Sequence, residues 1–332
     1  MMGLPFFQKA IELQEQYHSG QVIGNGMQTN GILLNKEWAK FLQRRRFLVG
    51  LSIDGPEHAH DHCRFIKGGK GSWSKVCDSA KLLLDSDVEV NALSVVSDYS
   101  VGFPEEIYEF LKGLGIRYMQ FIPCVEADSV APSDGRRHKK PDRVAAFSAP
   151  AEKLGKFWRK LFDLWLADFK EGIPTTSIRF FDSVFYHYVG LEPPECALLK
   201  ECGNYVVIEH NGDVYSCDFF VEPTWKLGNI RDDLLIDLLN SKKQVNFGKL
   251  KSNLTGKCKK CSWLKYCQGG CLKDRARNPA NRELDYFCPA YETFFKHADT
   301  HLKKLAIKWK ADRAIKPSQD SIRIDSTGLV NH

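Results

Sequence analysis

The stretch CKKCSWLKYCQGGC, residues 258–271, sets Cys258, Cys261, Cys267 and Cys271 in the spacing C-x-x-C-x5-C-x3-C. Two cysteines three positions apart converge on one ion or cluster with little backbone strain, and the second pair brings two more thiolates to the same small region. Further out, Cys196, Cys202 and Cys217 lie upstream and Cys288 lies downstream. These eight of the eleven cysteines can complete two four-ligand sites. Cys63, Cys77 and Cys124 stand outside the block with no common spacing and read as buried core thiols.

A metal reading depends on the redox compartment. The opening MMGLPFFQKAIELQEQYHSG lacks the basic region and apolar core of a secretory signal. No apolar run approaches the roughly 18–20 residues of a membrane span. The chain therefore reads as cytoplasmic with reduced thiols, where a cysteine cluster binds metal in preference to forming disulfides. Its 332 residues, 43% hydrophobic and 12% aromatic, suffice for a sizeable core and favour two domains. A net charge of +6 is too mild for a nucleic-acid-binding composition. The lysine-rich stretch 249–265 has few interleaved aromatics and reads as a solvated face. It could also offset the charge of thiolate clusters or dock an acidic electron donor. Neither nucleic acid nor membrane is expected as a partner.

Zinc and iron–sulfur clusters both accept four thiolates, and spacing alone does not separate them. One C-x-x-C pair in place of two knuckles, and the long reach from Cys196 to Cys288, favour iron–sulfur. A zinc-stabilised binding module is the alternative. Spacing does not assign the eight ligands to their two sets either.

Upstream of the cysteines the chain alternates. Helical spacing covers 4–17, 35–45 (with Asn35 as N-cap), 72–84 and 104–114, while residues 21–28 lead to a turn at Thr29-Asn30-Gly31. FLVGLSI (47–53) is a short apolar run, and VEVNALSVV (88–96) and RYMQFIP (117–123) read as strands. Such alternation predicts parallel βα units, with chemistry at the carboxyl ends of the strands. Residues 126–150 read as a loop or lid, 152–170 as an amphipathic helix and TSIRFF (176–181) as one more strand. YVVIEHNGDVYSCD reads as a hairpin turning at Asn211-Gly212, 291–311 as a basic helix and the last twenty residues as a frayed tail.

Several short motifs occur in order: Gln28-Thr29-Asn30-Gly31, Leu51-Ser52-Ile53-Asp54-Gly55-Pro56, Gln120-Phe121-Ile122-Pro123, Ser216-Cys217-Asp218 followed by Phe219, Leu227-Gly228-Asn229-Ile230, and the cysteine run. From residue 4 to about 300 the chain resembles the anaerobic sulfatase-maturating enzymes. These are radical S-adenosylmethionine (SAM) proteins with a C-terminal SPASM domain carrying two auxiliary 4Fe–4S clusters. The resemblance implies an α/β fold: a partial parallel (β/α) radical-SAM barrel lacking its first βα units, then a small Cys-rich α+β SPASM domain. The implied division is barrel over 1–185 (with the 126–150 loop), SPASM over 190–300, and a basic helical or disordered tail over 301–332.

The family pattern further implies that Cys196, Cys202, Cys217 and Cys271 hold the first auxiliary cluster, and Cys258, Cys261, Cys267 and Cys288 the second. Asp218 matches the base that takes a proton from a substrate Cys or Ser. Ser52 and Arg64 match residues that contact SAM, and Val125 stands where a Leu lines the adenosine. The implied activity is oxidation of a Cys or Ser in an unfolded sulfatase polypeptide to Cα-formylglycine, with electrons from a small acidic donor such as a flavodoxin or ferredoxin. The chain departs from the pattern at its start. The C-x-x-x-C-x-x-C motif of the radical-SAM 4Fe–4S cluster and the Gly-Gly-Glu-Pro motif after it are absent, and no cysteine precedes Cys63. The SAM site read from the sequence is therefore incomplete. A fragment or remnant keeping its two auxiliary clusters without radical activity is the competing expectation.

Overall fold

The computed structural model describes residues 2–128 and 143–315. Most of the 126–150 loop and the polar C-terminal tail lie outside the described residues. Five strands form one parallel sheet in the order β1-β2-β3-β4-β5: Gly26–Thr29, Leu48–Ser52, Glu89–Val96, Tyr118–Pro123 and Ser177–Ile178. Among the described residues β1 pairs with β2 alone and ends the sheet on that side. The intervening helices are α1 (Leu4–Gln16), α2 (Lys36–Arg44), α3 (Trp73–Asp85), α4 (Pro104–Gly113), α5 (Ala151–Ala167) and α6 (Arg179–Val189).

Local sequence explains these elements. Val49, Gly50 and Leu51 are buried in succession, the mark of a parallel strand covered on both faces. Asn35 caps α2 by accepting the Trp38 N–H at 3.0 Å. Leu154, Phe157, Trp158, Leu161, Phe162 and Trp165 put one apolar stripe of α5 into the core. The expected strand over 176–181 is corrected: only Ser177 and Ile178 pair with β4, and Arg179 begins α6. Phe180, Phe181 and Val184 follow helical spacing, and all three are buried on the face of α6.

The second region adds an antiparallel sheet of β6 (Val207–Ile208), β7 (Asp213–Tyr215) and β8 (Lys226–Asn229). Its first turn uses Gly212 at φ +89°, as the Asn-Gly reading requires. Helices α7 (Lys242–Leu250) and α8 (Leu272–Arg277) follow, and α9 (Cys288–Ile315) returns to the first region. Helix α9 runs without a break through residue 301 and packs along α5 and α6. Phe294 stacks on Phe181 at 5.4 Å and meets Phe162 edge-on at 5.6 Å.

The α5–α9 crossing is close because Gly155 has no side chain. A Cβ there would lie 2.9 Å from Thr293 Cβ and 3.2 Å from Ala290 Cα, which is backbone. Gly155→Val is expected to cost about 1–3 kcal/mol through overpacking, and Phe294→Ala about 3–5 kcal/mol through cavity formation. Urea denaturation midpoints check both. No helix among the described residues is long and apolar enough to cross a membrane.

Candidate functional site

The first group of residues gathers at the carboxyl ends of β2, β3 and β4. Ser52 ends β2, and Asp54 follows it, buried at 4% exposure. Arg64 grips Asp54 with two parallel hydrogen bonds, Nε to Oδ2 at 2.5 Å and Nη2 to Oδ1 at 2.9 Å. The Val95 N–H on β3 also donates to Asp54 Oδ1, at 2.8 Å. The Asp54 N–H donates to His60 Nδ1 at 3.3 Å, and His60 Nε2 meets Ser72 Oγ at 2.9 Å. Burial lowers the His60 pKa below its ordinary value, so the neutral ring can accept at Nδ1 and donate at Nε2. Arg64 is thus a fixed fork and no loose surface charge. Val125 is fully buried just beyond β4.

The core reading of the three remaining cysteines holds for Cys77. It is corrected for Cys63, which is exposed, and for Cys124, which is partly exposed. Cys63 follows the short helix Glu57–His60 after β2, and Cys124 directly follows β4.

The second group is the cysteine block. Cys258, Cys261, Cys267 and Cys288 line one cavity, closed in part by Trp263 and Tyr291. Burial pushes the Cys267 thiol up to about 12, and the Cys288 thiol up to about 11. Such thiols stay neutral and inert until a metal ionises them. The other four cysteines form a separate neighbourhood. Cys202 and Cys271 both perturb Cys196, or are perturbed by it, and Cys217 perturbs Cys202. One residue bridges the two groups: the Asp285 carboxylate accepts the Cys271 N–H at 3.0 Å, and its carbonyl accepts the Cys288 N–H at 3.1 Å.

Lys251 corrects the reading of 249–265 as a solvated face. Lys249, Lys257, Lys259, Lys260 and Lys265 are exposed, but Lys251 is fully buried. Its ammonium donates to the carbonyls of Cys196 (2.7 Å) and Ala197 (2.8 Å), and also to that of Leu199. Burial lowers its pKa, and the nearby Cys202, Cys196 and Cys271 act in the opposite sense. A cation buried beside the thiols of Cys196, Cys202 and Cys271, with carbonyls as its hydrogen-bond acceptors, suits a site whose thiolates carry net negative charge. Cys258, Cys261, Cys267 and Cys288 offer four thiols to one cavity, the donor number and type that a 4Fe–4S cluster takes. The donor set fits iron–sulfur clusters.

Asp218 is exposed beside Cys217, with its Oδ1 3.3 Å from Cys217 Sγ. An opening of about 380 Å³ lies between the two regions, lined by Ala127 and Arg143 on one side and Phe219, Glu222, Arg277 and Arg282 on the other. Glu126 ties the walls together by accepting from Arg277 Nε at 3.0 Å. Sequence reasoning missed Asp54 as the partner of Arg64, along with Lys251, Asp285 and Tyr205. None belongs to a ligand spacing, and each acts through contacts distant in the chain.

The fold and the cysteine geometry define an α/β protein with an appended iron–sulfur region. Residues 196–262 match SPASM, an iron–sulfur cluster-binding domain. Cys267, Cys271 and Cys288 lie beyond the matched residues. The chain is 41% identical over 310 residues to the serine-type anaerobic sulfatase-maturating enzyme of Bacteroides thetaiotaomicron, covering 91% of this chain and 74% of that protein. It is 35% identical over 308 residues to the cysteine-type enzyme of Clostridium perfringens, covering 92% and 80%. The solved structure of native anSMEcpe with bound AdoMet and Cp18Cys peptide superposes with a TM-score of 0.82 at 35% identity, over 92% of this chain and 82% of that one. The chain belongs to the anaerobic sulfatase-maturating enzyme family. The SPASM match decides for iron–sulfur over the zinc alternative.

Proposed function

We propose that these residues bind an unfolded sulfatase segment and take part in oxidising its Cys or Ser to Cα-formylglycine. The observation that carries this is the base candidate Asp218, exposed and held against a cluster-ligand candidate, and followed directly by Phe219, which lines an opening large enough for a peptide side chain. Cys196, Cys202, Cys217 and Cys271 would hold one 4Fe–4S cluster, and Cys258, Cys261, Cys267 and Cys288 the other. Clusters and SAM, when bound, supply the one-electron chemistry. The protein's own part is narrower. Ser52 and Arg64 would form the wall offered to SAM at the strand ends, with Asp54 fixing the direction of Arg64, while Val125, the adenosine-lining candidate, is packed into the core just beyond β4. Asp218 accepts the substrate's thiol or hydroxyl proton. The exposed lysines around Cys258 offer a face to a small acidic electron donor such as a flavodoxin or ferredoxin. The division into a barrel over 1–185, SPASM over 190–300 and a tail from 301, and a cytoplasmic location, belong to the same reading.

SAM cleavage calls for a C-x-x-x-C-x-x-C triad, which these 332 residues do not contain. One anaerobic assay therefore decides how far the function extends. The reconstituted chain is incubated with SAM, a strong reductant and a labelled peptide spanning a sulfatase's modified residue. 5′-Deoxyadenosine and formylglycine peptide above the no-enzyme control establish maturase activity. Peptide binding with 5′-deoxyadenosine at the control level restricts the chain to cluster and substrate binding. Loss of both overturns the proposal. Where product forms, Asp218→Asn is expected to lower its rate about 10²–10⁴-fold while leaving peptide affinity near the wild-type value.

A further inference from the structure

Tyr205 lies on the segment leading into β6, three residues after Cys202. Its hydroxyl donates to Asp218 Oδ1 at 2.9 Å and stands 3.4 Å from Cys217 Sγ. Cys217 Sγ is itself 3.3 Å from Asp218 Oδ1, so the three polar atoms close a triangle. The triangle is pinned from behind by Gln244, which is 1% exposed. Gln244 Nε2 donates to the carbonyls of Gly203 (3.1 Å), Tyr205 (2.9 Å) and Ser216 (3.4 Å). One buried amide thereby fastens the segment bearing Tyr205 to the segment that leads from β7 into Cys217 and Asp218.

The proton count in this triangle depends on what Cys217 holds. A free thiol can donate to Asp218. A thiolate ligating a cluster has no proton, and its sulfur then faces an anionic carboxylate at hydrogen-bond range. The tyrosine hydroxyl is the one donor left within the triangle. We propose that Tyr205 is a positioning residue: its hydroxyl proton, shared between Asp218 and Cys217, keeps the base beside the cluster and raises the reduction potential of that cluster. The inference rests on the proposed roles of Cys217 as ligand and Asp218 as base. It adds a residue that touches both.

Hydrogen bonds to a ligating sulfur favour the reduced, more negative cluster, so removing one lowers the potential. The test uses the full chain reconstituted anaerobically with iron and sulfide, in wild-type and Tyr205→Phe forms, with redox titration followed by electron paramagnetic resonance. One of the two cluster potentials is expected to fall and the other to stay in place. In the double variant Tyr205→Phe, Asp218→Asn, which also removes the opposing carboxylate, the shifted potential is expected to move back toward the wild-type value. Unchanged potentials in Tyr205→Phe would overturn the proposal. Should Tyr205→Phe lose the iron of one cluster, the double variant is expected to regain it. A double variant that stays equally depleted would show that Tyr205 only builds the loop. A wild-type chain that takes up no iron or sulfide would overturn the cluster reading, and this inference with it.

Discussion

Cys271→Ala and Cys267→Ala are each expected to bind about four fewer iron and four fewer sulfide per chain than wild type, and the double variant close to none. The two cysteines stand only four residues apart, so spacing would pool them in one site. Their surroundings differ, and the proposed assignment puts them in different sites. Cys267 faces the cavity shared with Cys258, Cys261 and Cys288. Cys271 lies in the field of Cys196 and of the buried Lys251. Between them, Gly269 and Gly270 take φ of +77° and +73° and turn the chain from one group to the other. Additive losses in the double variant would establish two sites. A single substitution that removes all iron would mean one site, or two that cannot exist apart.

Arg64→Ala is expected to lower stability by about 3 kcal/mol, because it strands the Asp54 carboxylate without its counter-ion. Asp54 is too deeply buried for water to replace the guanidinium fully, and the surviving Val95 N–H satisfies only part of it. Arg64→Lys is expected to recover the charge but not the two-pronged geometry, and so to fall between wild type and Ala. Asp54→Asn combined with Arg64→Ala should cost less than the two single effects summed, because the pair acts as a unit. Chemical denaturation gives the stabilities. Isothermal titration with SAM shows whether the fixed guanidinium also serves binding: Arg64→Ala binding SAM as wild type does would assign the pair to structure alone.

Much of the fold could be read along the chain because its signals are local. The helical spacing of Leu154 through Trp165, the Asn35 cap and the Asn211-Gly212 turn each need only a few neighbouring residues. The strand expected over 176–181 failed because a buried helix start and a short strand share the same apolar run. The cysteine spacing announced a metal region, but the division into two sets came from family resemblance. What stayed hidden depends on burial and distant partners. Lys251 sits in a lysine-rich stretch whose other lysines are exposed, and no local pattern marks it as the buried one. Tyr205 is twelve residues from Cys217 in the chain, and the hairpin between them folds its hydroxyl back onto Asp218. Asp54 lies ten residues before Arg64, inside a stretch whose Asp-Gly pair reads as turn chemistry.

The most direct test is the content of iron and acid-labile sulfide per chain after anaerobic reconstitution. Two 4Fe–4S clusters on the eight clustered cysteines predict about eight of each, with a brown chromophore. Near-zero iron and sulfide, with one or two zinc ions bound, would contradict the account and leave a zinc-stabilised binding module.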